Sequence, residues 1–301
     1  MLSFFLVLAC LVAVLLDRLL GEPRRWHPLA GFGALAGRLE QRLNDGSVLR
    51  GALAVLLLVA PVVMATVLLV TLLPPWLAWS CQALGLWLVI GARSLAEHGR
   101  AVVVPLRAGD LPAAREQVAR IVSREAAALD DAGVARAATE SMLENGADAL
   151  FASLFWFAVA GLPGAVLHRL VNTLDAMWGY RSPRFEQFGK AAARLDDALN
   201  WLPARLTALS YALCGRFGPA MQCWHRQAGA CDSPNAGPVM AAGAGALRVV
   251  LGGRTAYPDG WKDKPELGEG RPADADSIEA AIRLVQRATL LWLVVLAGMA
   301  L

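Results

Sequence analysis

The stretch Gly51–Ala92 constrains the fold most, because its 42 consecutive residues include no Asp, Glu, Lys, Arg or His. One helical crossing of a bilayer takes about 20 apolar residues, so this stretch is long enough for two crossings. Pro74 and Pro75 lie near its middle, and proline stops a helix from propagating. The composition is 56% hydrophobic and 18% charged, against about 45–50% and about 25% in soluble domains. We therefore predict an integral membrane protein with a helical hairpin here, rather than a soluble all-α protein with an apolar core.

Other candidate membrane segments are shorter. Leu2–Leu16, in the uncharged stretch Met1–Leu16, is interpreted as a retained first membrane helix, because the N-terminus lacks a basic n-region and a small-residue cleavage site. Ala288–Leu301 is the last apolar segment. Two weaker candidates, Leu206–Trp224 and Pro234–Gly253, are each interrupted by one arginine.

The segment Ala149–Leu167 is uncharged but contains Gly161-Leu162-Pro163-Gly164, which interrupts it after about a dozen residues. Apolar segments of about 10–14 residues are more often re-entrant than spanning. A full crossing would also place the following arginine-rich segment outside, against the positive-inside rule. We therefore expect this segment to enter the membrane and return. The predicted fold class is an all-α, polytopic membrane helical bundle with re-entrant or broken segments and a cytoplasmic helical hairpin.

The arginines indicate the orientation. Residues 17–50 and 93–148 flank the apolar hairpin and are rich in arginine, so both are predicted to be cytoplasmic. We expect one membrane-embedded domain, residues 1–301, with a cytoplasmic helical insertion at 93–148. Residues 254–277 are rich in Gly, Pro and charge, which favours a surface loop.

Two functional classes receive no support from the sequence. The net charge is +3, and the arginines form no basic stripe of the kind that binds nucleic acid. The five cysteines and four histidines show no zinc-site spacing.

Polar residues are concentrated between Glu140 and Arg205, beside apolar segments. Glu140, Glu144 and Asp148 are spaced i, i+4 and i+8, so one helical face would carry all three. Their mutual repulsion requires a divalent cation or nearby arginines, unless they form a solvated acidic face. Asn145 adds a neutral oxygen, and such oxygen ligands suit magnesium.

A second motif is Asn172-Thr173-Leu174-Asp175. We expect it to be helical, and we expect Gly179 to end that helix. Asn172 and Asp175 would face the same way, either to orient a substrate or to cap the helix.

A third motif contains Asp196, Asp197 and Asn200. Aspartates beside arginines resemble a metal–phosphate arrangement, in which carboxylates hold magnesium and cationic side chains contact phosphate. An internal salt-bridge network is the alternative. The candidate phosphate contacts here are Lys190, Arg194 and Arg205.

Ser233 and Asn235 precede a run of small residues. Both are good N-cap residues, and the free N–H groups of a helix start can bind an anion. Simple capping and close helix packing explain the same pattern.

Taken together, these motifs resemble the CobD/CbiB family of cobalamin biosynthesis. The resemblance extends over nearly the whole chain, in order, and is most specific in NTLDAMWGY and ARLDDALNWLPARLTAL. The matching runs are Asp17–Pro28, Glu140–Asp148, Leu154–Gly164, Val171–Tyr180, Phe188–Leu209 and Ser233–Leu247.

The resemblance implies an activity, namely ATP- and magnesium-dependent amide formation. The f-side-chain carboxylate of adenosylcobyric acid would be joined to aminopropanol or its O-phosphate, giving adenosylcobinamide or its phosphate. The implied protein lies in the inner membrane with its active site facing the cytoplasm, and other cobalamin-assembly enzymes could dock on it.

In such a reaction ATP would phosphorylate the carboxylate, and positioning and charge stabilisation would supply most of the catalysis. The candidate metal ligands are Glu140, Glu144, Asp148, Asp196 and Asp197. The candidate cofactor contacts are Lys190, Arg194, Arg205, Ser233 and Asn235, and the residues expected to orient substrate are Asn172, Asp175 and Asn200. A transporter, a regulatory membrane protein and a non-catalytic corrinoid-binding protein are the alternatives.

Overall fold

The computed structural model describes residues 4–23, 25, 27–122, 124–180, 182–257 and 260–300. The chain divides into two compact units. The first contains Met1–Gly91, Asp148–Asn200 and Val295–Leu301, and the second contains Ala92–Ala147 and Trp201–Val294.

Helices dominate the described residues. In chain order they are α1 (Phe4–Leu20), α2 (Pro28–Leu43), α3 (Val48–Leu72), α4 (Pro75–Val89), α5 (Ala92–Arg107), α6 (Leu111–Val118), α7 (Asp131–Gly146), α8 (Ala152–Trp178), α9 (Lys190–Cys214), α10 (Phe217–Gln227), α11 (Ala236–Leu247) and α12 (Ala275–Gly298), with a π-helical turn at Ala147–Phe151 between α7 and α8.

Among the residues that the structure describes, four helical stretches are long and apolar enough to cross a membrane: Val48–Leu72, Pro75–Arg107, Asp131–Trp178 and Ala275–Gly298. In the first of these, only 22% of the most apolar 18-residue part is buried within the protein. Rows of exposed leucine and valine on so long a helix are costly in water, and lipid removes that cost. The prediction of a multi-pass membrane protein is confirmed.

The predicted turn at Pro74-Pro75 is also confirmed, because α3 ends at Leu72 and α4 begins at Pro75. The two weaker candidates were wrong. A break between Cys214 and Phe217 divides Leu206–Trp224, and Pro234–Gly253 becomes the short helix α11 followed by a strand.

The helix α8 reverses direction in its middle. Ala160 (φ −136°, ψ 19°) and Gly161 (φ 62°, ψ −156°) have non-helical backbone angles. The Oγ of Ser153 lies 3.3 Å from Nδ1 of His168, whereas 15 residues of straight helix would separate them by about 22 Å. The stretch Asp131–Trp178 therefore does not make one straight crossing. Its arms return side by side, as expected of a segment that enters the membrane and returns.

Glycine permits this reversal. The backbone angles of Gly161 fall in a region that is essentially restricted to glycine. A Cβ at Gly164 would lie 2.4 Å from the carbonyl oxygen of Trp156, in the opposite arm. Small residues therefore allow the two arms to touch.

The second unit begins with the predicted insertion, which forms α5, α6 and α7. Asp110 caps α6 as expected, accepting a hydrogen bond from the backbone N–H of Ala113 at 3.1 Å.

The predicted surface loop at 254–277 was wrong, because most of it is β-structure. Strands β1 (Val249–Tyr257), β2 (Gly260–Gly268) and β3 (Arg271–Pro272) form a sheet in the order β2-β1-β3. Strand β2 pairs antiparallel with β1, whereas β3 pairs parallel with it. Because β2 is an edge strand, it tolerates the proline and charges that indicated a loop.

Candidate functional site

Asn172, Asp196 and Asn200 converge in the first unit, and we call them the amide–carboxylate cluster. Asn172 donates from Nδ2 to Oδ1 of Asp196 at 3.3 Å, and Asn200 donates from Nδ2 to Oδ2 at 2.9 Å. Asp196 and Asn200 lie one turn apart on α9, and Asn172 reaches them from the returning arm of α8. Each carboxylate oxygen therefore accepts one amide hydrogen bond.

Side chains of α8 extend the cluster at both ends. Arg169 donates from Nη1 to Oδ1 of Asn172 at 3.3 Å. At the other end, Nε2 of His168 lies 2.9 Å from Oδ1 of Asn200, and Ser153 contacts the same imidazole. The Nε atom of Arg169 is buried and has no hydrogen-bond acceptor among the described residues. A continuous series of hydrogen-bond contacts thus links the guanidinium of Arg169 to the hydroxyl of Ser153.

The carboxyl group of Asp196 is buried, with 9% of the residue exposed. Burial raises its pKa from the ordinary value of 3.8 to about 6, and the hydrogen bonds from Asn200 and Asn172 oppose that rise. Burial also raises the pKa of Asp197. Asp196 is therefore ionised at neutral pH, but it is held in surroundings that disfavour its charge.

The loop before α9 is tied down within the first unit. Arg184 pairs with the buried carboxylate of Glu40, and the rings of Trp178 and Phe188 meet edge to face at 5.1 Å. These contacts position the start of α9, where Lys190 is half-buried; Arg194 on the next turn is exposed. The structure gives neither cation a role, so their phosphate contacts stay predictions.

Asp175 lies at the end of α8, and Gly179 is the C-cap residue, as expected. A Cβ at position 179 would lie 2.1 Å from Oδ1 of Asp175. The glycine therefore makes room for this carboxylate, whose role in orienting substrate stays a prediction.

Glu140 in the second unit already has two partners. Its Oε2 accepts from Arg124, and its Oε1 accepts from the backbone N–H of Gly252 at 2.7 Å. Both charged side chains are almost completely buried. Gly252 lies at the irregularity in the pairing of β1 with β2 and has φ +78°. An arginine therefore offsets the charge of Glu140, which was the alternative to a divalent cation. These contacts support a structural role for Glu140 rather than metal binding.

The other residues of the predicted acidic face differ from Glu140. Glu144 is half-buried and lies within electrostatic range of Lys264 and Arg124. Asn145 bonds back to Ser141 from Nδ2. Asp148 lies in the π-helical turn, where the rotation per residue differs from that of an α-helix. The i, i+8 spacing consequently no longer predicts a face shared with Glu140.

Arg205 and Asn235 also pair within the second unit. Arg205 donates to Oδ1 of Asn235 at 2.7 Å and to the carbonyl of Pro234 at 2.9 Å. Its guanidinium lies 4.6 Å from the ring centre of Trp201. The Oγ of Ser233 accepts from the N–H groups of Asn235 and Ala236. The N-cap residue of α11 is Asn235, whose side chain binds the arginine instead of capping the helix, while Ser233 accepts the first N–H groups.

The described residues contain no group of three His, Cys, Asp or Glu side chains placed to hold a metal ion. Magnesium, however, often binds through one or two carboxylates together with water and phosphate oxygens. Asp196 fits that mode, because a carboxylate has about four acceptor positions and the amides use two. The cluster suits a magnesium ion that arrives with phosphate better than it suits an all-protein cage.

The sequence interpretation missed Arg169, His168 and Ser153. Two signals were available. Charged and imidazole side chains within an apolar helix are usually functional or paired, and a reversal between Ala160 and Gly161 brings residues 153 and 168, which lie at similar separations before and after it, side by side. Glu22 was missed as well, although it and Asp148 both lie within electrostatic range of Arg169.

Comparison with known proteins identifies the family. The CobD/CbiB protein family model matches residues 10–285. The chain is 55% identical over 293 residues to the cobalamin biosynthesis protein CobD of Stutzerimonas stutzeri, covering 96% of each chain. It is 54% identical to the protein of that name from Chromobacterium violaceum, covering 93% of this chain and 92% of the relative. The Mycobacterium tuberculosis relative is 43% identical, with 92% and 91% covered.

The chain is therefore a polytopic membrane protein, and it belongs to the CobD/CbiB family. No solved structure matches it.

Proposed function

We propose that this protein acts in cobalamin biosynthesis as an ATP-dependent carboxylate–amine ligase. Its acid substrate is the f-side-chain carboxylate of adenosylcobyric acid, and its amine is aminopropanol or aminopropanol O-phosphate. Family membership supports the pathway. The observation that carries the choice of site is the amide–carboxylate cluster, where a buried ionised aspartate is held by two amides beside a half-satisfied arginine.

The chemistry requires activation, because a carboxylate does not react with an amine without a leaving group. A carboxylate oxygen attacks the γ-phosphorus of ATP, the bond to the bridging oxygen breaks, and ADP leaves. The amine then attacks the acyl phosphate, loses a proton and expels inorganic phosphate. Positioning and charge stabilisation account for most of the catalysis of such phosphoryl transfers.

The residues of the first unit fit these tasks. Asp196, with Asp197 beside it, would hold magnesium, which offsets the charge of the phosphate oxygens. Asn172 and Asn200 keep the Asp196 carboxylate in place through their Nδ2 groups. Arg169 has a buried N–H that still needs an acceptor, and a phosphoryl oxygen is a strong one. Lys190 and Arg194 are further candidates for phosphate contacts.

We place the protein in the cytoplasmic membrane with this site facing the cytoplasm. The arginine-rich segments on both sides of the α3–α4 hairpin support that orientation. Because α8 reverses at Gly161, the chain would return to the side from which it entered. ATP is available on that side.

The test uses purified protein in detergent with adenosylcobyric acid, aminopropanol phosphate, ATP and magnesium. Mass spectrometry detects the amide, and each component is omitted in turn. Product that requires all four supports the ligase. A folded protein that binds corrinoid but forms no amide would point to the binding or regulatory alternatives.

Variants of the cluster test the site. Asp196→Ala should abolish the amide or sharply weaken its magnesium dependence. Arg194→Met tests a separate prediction: its side chain is exposed, and reduced amide formation with an unchanged magnesium response would support a phosphate contact. Full activity of Asp196→Ala with an unchanged magnesium response would remove Asp196 from the site.

A further inference from the structure

We propose that His168 and Ser153 are positioning residues that fix the side-chain amide of Asn200, and through it the carboxylate of Asp196. The proposal rests on the proposed function for its consequence in catalysis. The hydrogen-bond geometry that it uses is independent of that function.

The donor and the acceptor of each hydrogen bond between Arg169 and Ser153 can be assigned by starting from Arg169. A guanidinium can only donate, so the Asn172 atom that faces Arg169 must be oxygen. The amino group of Asn172 therefore points to Asp196. An ionised carboxylate can only accept, so the Asn200 atom that faces Asp196 must also be an amino group. The carbonyl oxygen of Asn200 is then left to face His168.

That orientation determines the state of the imidazole. Because Oδ1 of Asn200 can only accept, Nε2 of His168 must carry a hydrogen across the 2.9 Å contact. If the imidazole is neutral, Nδ1 is then an acceptor, and the Ser153 hydroxyl lies 3.3 Å away to donate to it. Histidine and serine are both completely buried, so water does not offer a substitute. With a neutral ring, each contact between Arg169 and Ser153 then joins one donor to one acceptor.

The consequence concerns what the site presents to a ligand. Both amide oxygens already accept a hydrogen bond, from Arg169 and from His168. The carboxylate of Asp196, which has about four acceptor positions and shares two of them with the amides, is therefore the better ligand for a cation. If Asn200 rotated by half a turn about its last bond, its oxygen would face the carboxylate and repel it. His168 prevents that rotation, and Ser153 keeps His168 in the required tautomer.

The reversal of α8 makes the arrangement possible. Ser153 lies on the entering arm and His168 on the returning arm. Trp156 on the entering arm also donates to the backbone oxygen of Leu199, beside Asn200, at 2.9 Å. The two arms of α8 therefore bring both positioning residues, Ser153 and His168, to Asn200.

The first measurement is the tautomer of His168, read from nitrogen and carbon chemical shifts of histidine-labelled protein. The sequence has four histidines, and the His168 signal is the one that His168→Gln removes. We expect a neutral ring with its proton on Nε2. A neutral ring with its proton on Nδ1, or a charged ring at neutral pH, would overturn the proposal.

The second measurement is manganese binding in the presence of ATP, followed by electron paramagnetic resonance. Removal of an outer partner of a metal ligand typically weakens metal affinity by about 10–100-fold. His168 acts one step further out, through Asn200, so we expect His168→Leu to weaken Mn²⁺ binding, and to raise the magnesium concentration for half-maximal ligation, by up to about tenfold. His168→Gln keeps a donor near Nε2 and should restore most of the affinity. Ser153→Ala should have a smaller effect in the same direction.

Thr207→Val is the matched control. Thr207 is completely buried, and its hydroxyl donates to the carbonyl of Pro203 in its own helix. It should leave metal binding unchanged. Folded His168→Leu and Ser153→Ala proteins with wild-type metal binding would contradict the proposal. If wild-type protein formed no amide, the proposed function would fail, and the tautomer would still test the hydrogen-bond chain.

Discussion

The buried pair of Arg124 and Glu140 gives the sharpest stability prediction. Arg124→Met removes the cation and leaves the Glu140 carboxylate, which is almost completely buried, with the Gly252 N–H as its remaining partner. Breaking one side of a buried ion pair costs about 3–5 kcal/mol, because the other charge stays buried. We expect the free energy of unfolding to fall by roughly that amount.

The double variant Arg124→Met/Glu140→Gln tests the cause. Glutamine is neutral, and its side-chain oxygen can still accept from Gly252. The double variant should therefore recover most of the loss, to within about 1–2 kcal/mol of the wild type, the range of one hydrogen bond. The assay is equilibrium unfolding in mixed micelles, followed by circular dichroism.

Arg107→Met is the matched control for loss of an arginine. The pair of Arg107 and Asp276 has a similar contact, at 2.6 Å, but both side chains are more than half exposed. Exposed pairs contribute about 0–1 kcal/mol, so this variant should stay near the wild type. The reasoning is refuted if Arg124→Met costs no more than Arg107→Met, or if the double variant is less stable than Arg124→Met.

Three further predictions concern backbone geometry and pH. Gly161→Ala forces a side chain into glycine-only angles, and should destabilise the protein by about 1–3 kcal/mol in the same unfolding assay. Gly179→Ala would crowd both the carboxylate of Asp175 and its backbone carbonyl, at 2.1 Å and 2.7 Å, so the unfolding midpoint should fall and ligation should fall even in the protein that remains folded; full activity would argue against a role for that carboxylate. The raised pKa of Asp196, from 3.8 to about 6, means that the folded state binds this proton more tightly than the unfolded state. Without divalent cations, the stability that this group contributes should therefore be greatest below pH 4 and be lost as the pH rises through about 6, by roughly 3 kcal/mol in all. Asp196→Asn should remove that slope.

Local signals in the sequence predicted much of the first unit. The α3–α4 hairpin follows from an uncharged stretch with two prolines, and the reversal of α8 follows from Gly161 and its neighbours. Each feature depends on residues close in sequence. Hydrophobic periodicity and the positions of glycine and proline predict such features well.

The long-range partners could not be predicted in the same way. Glu140 was predicted to bind metal because the sequence shows its repulsion with Glu144 but does not show which residues contact it in the fold. One partner, Arg124, lies in a preceding loop, and the other is a backbone N–H of β1, 112 residues away. Spacing along one helix carries no information about either contact.

The β-hairpin was missed for a related reason. Gly, Pro and charged residues mark loops, but they also occur in an exposed edge strand. In β2 the charged side chains of Lys262 and Asp263 are exposed, while Leu267 is buried. Only the pairing with β1 distinguishes this strand from a loop.

The candidate site was predicted in part. Asp196 was a candidate metal ligand and Asn172 and Asn200 were candidates to orient substrate, and the structure brings the three together. The helix spacing i, i+4 was enough for the pair on α9. The contribution of α8 required its reversal, which moves Ser153 beside His168, and that contact is not visible in either arm alone.

The most direct test of the central claim follows the oxygen atoms of the reaction. Adenosylcobyric acid carrying ¹⁸O in its free carboxylate is incubated with the protein, ATP, magnesium and aminopropanol phosphate, and the released phosphate is analysed by mass spectrometry. Activation by phosphoryl transfer predicts one ¹⁸O atom in inorganic phosphate for each amide formed. Label in AMP, or amide formation with unlabelled phosphate, would contradict it.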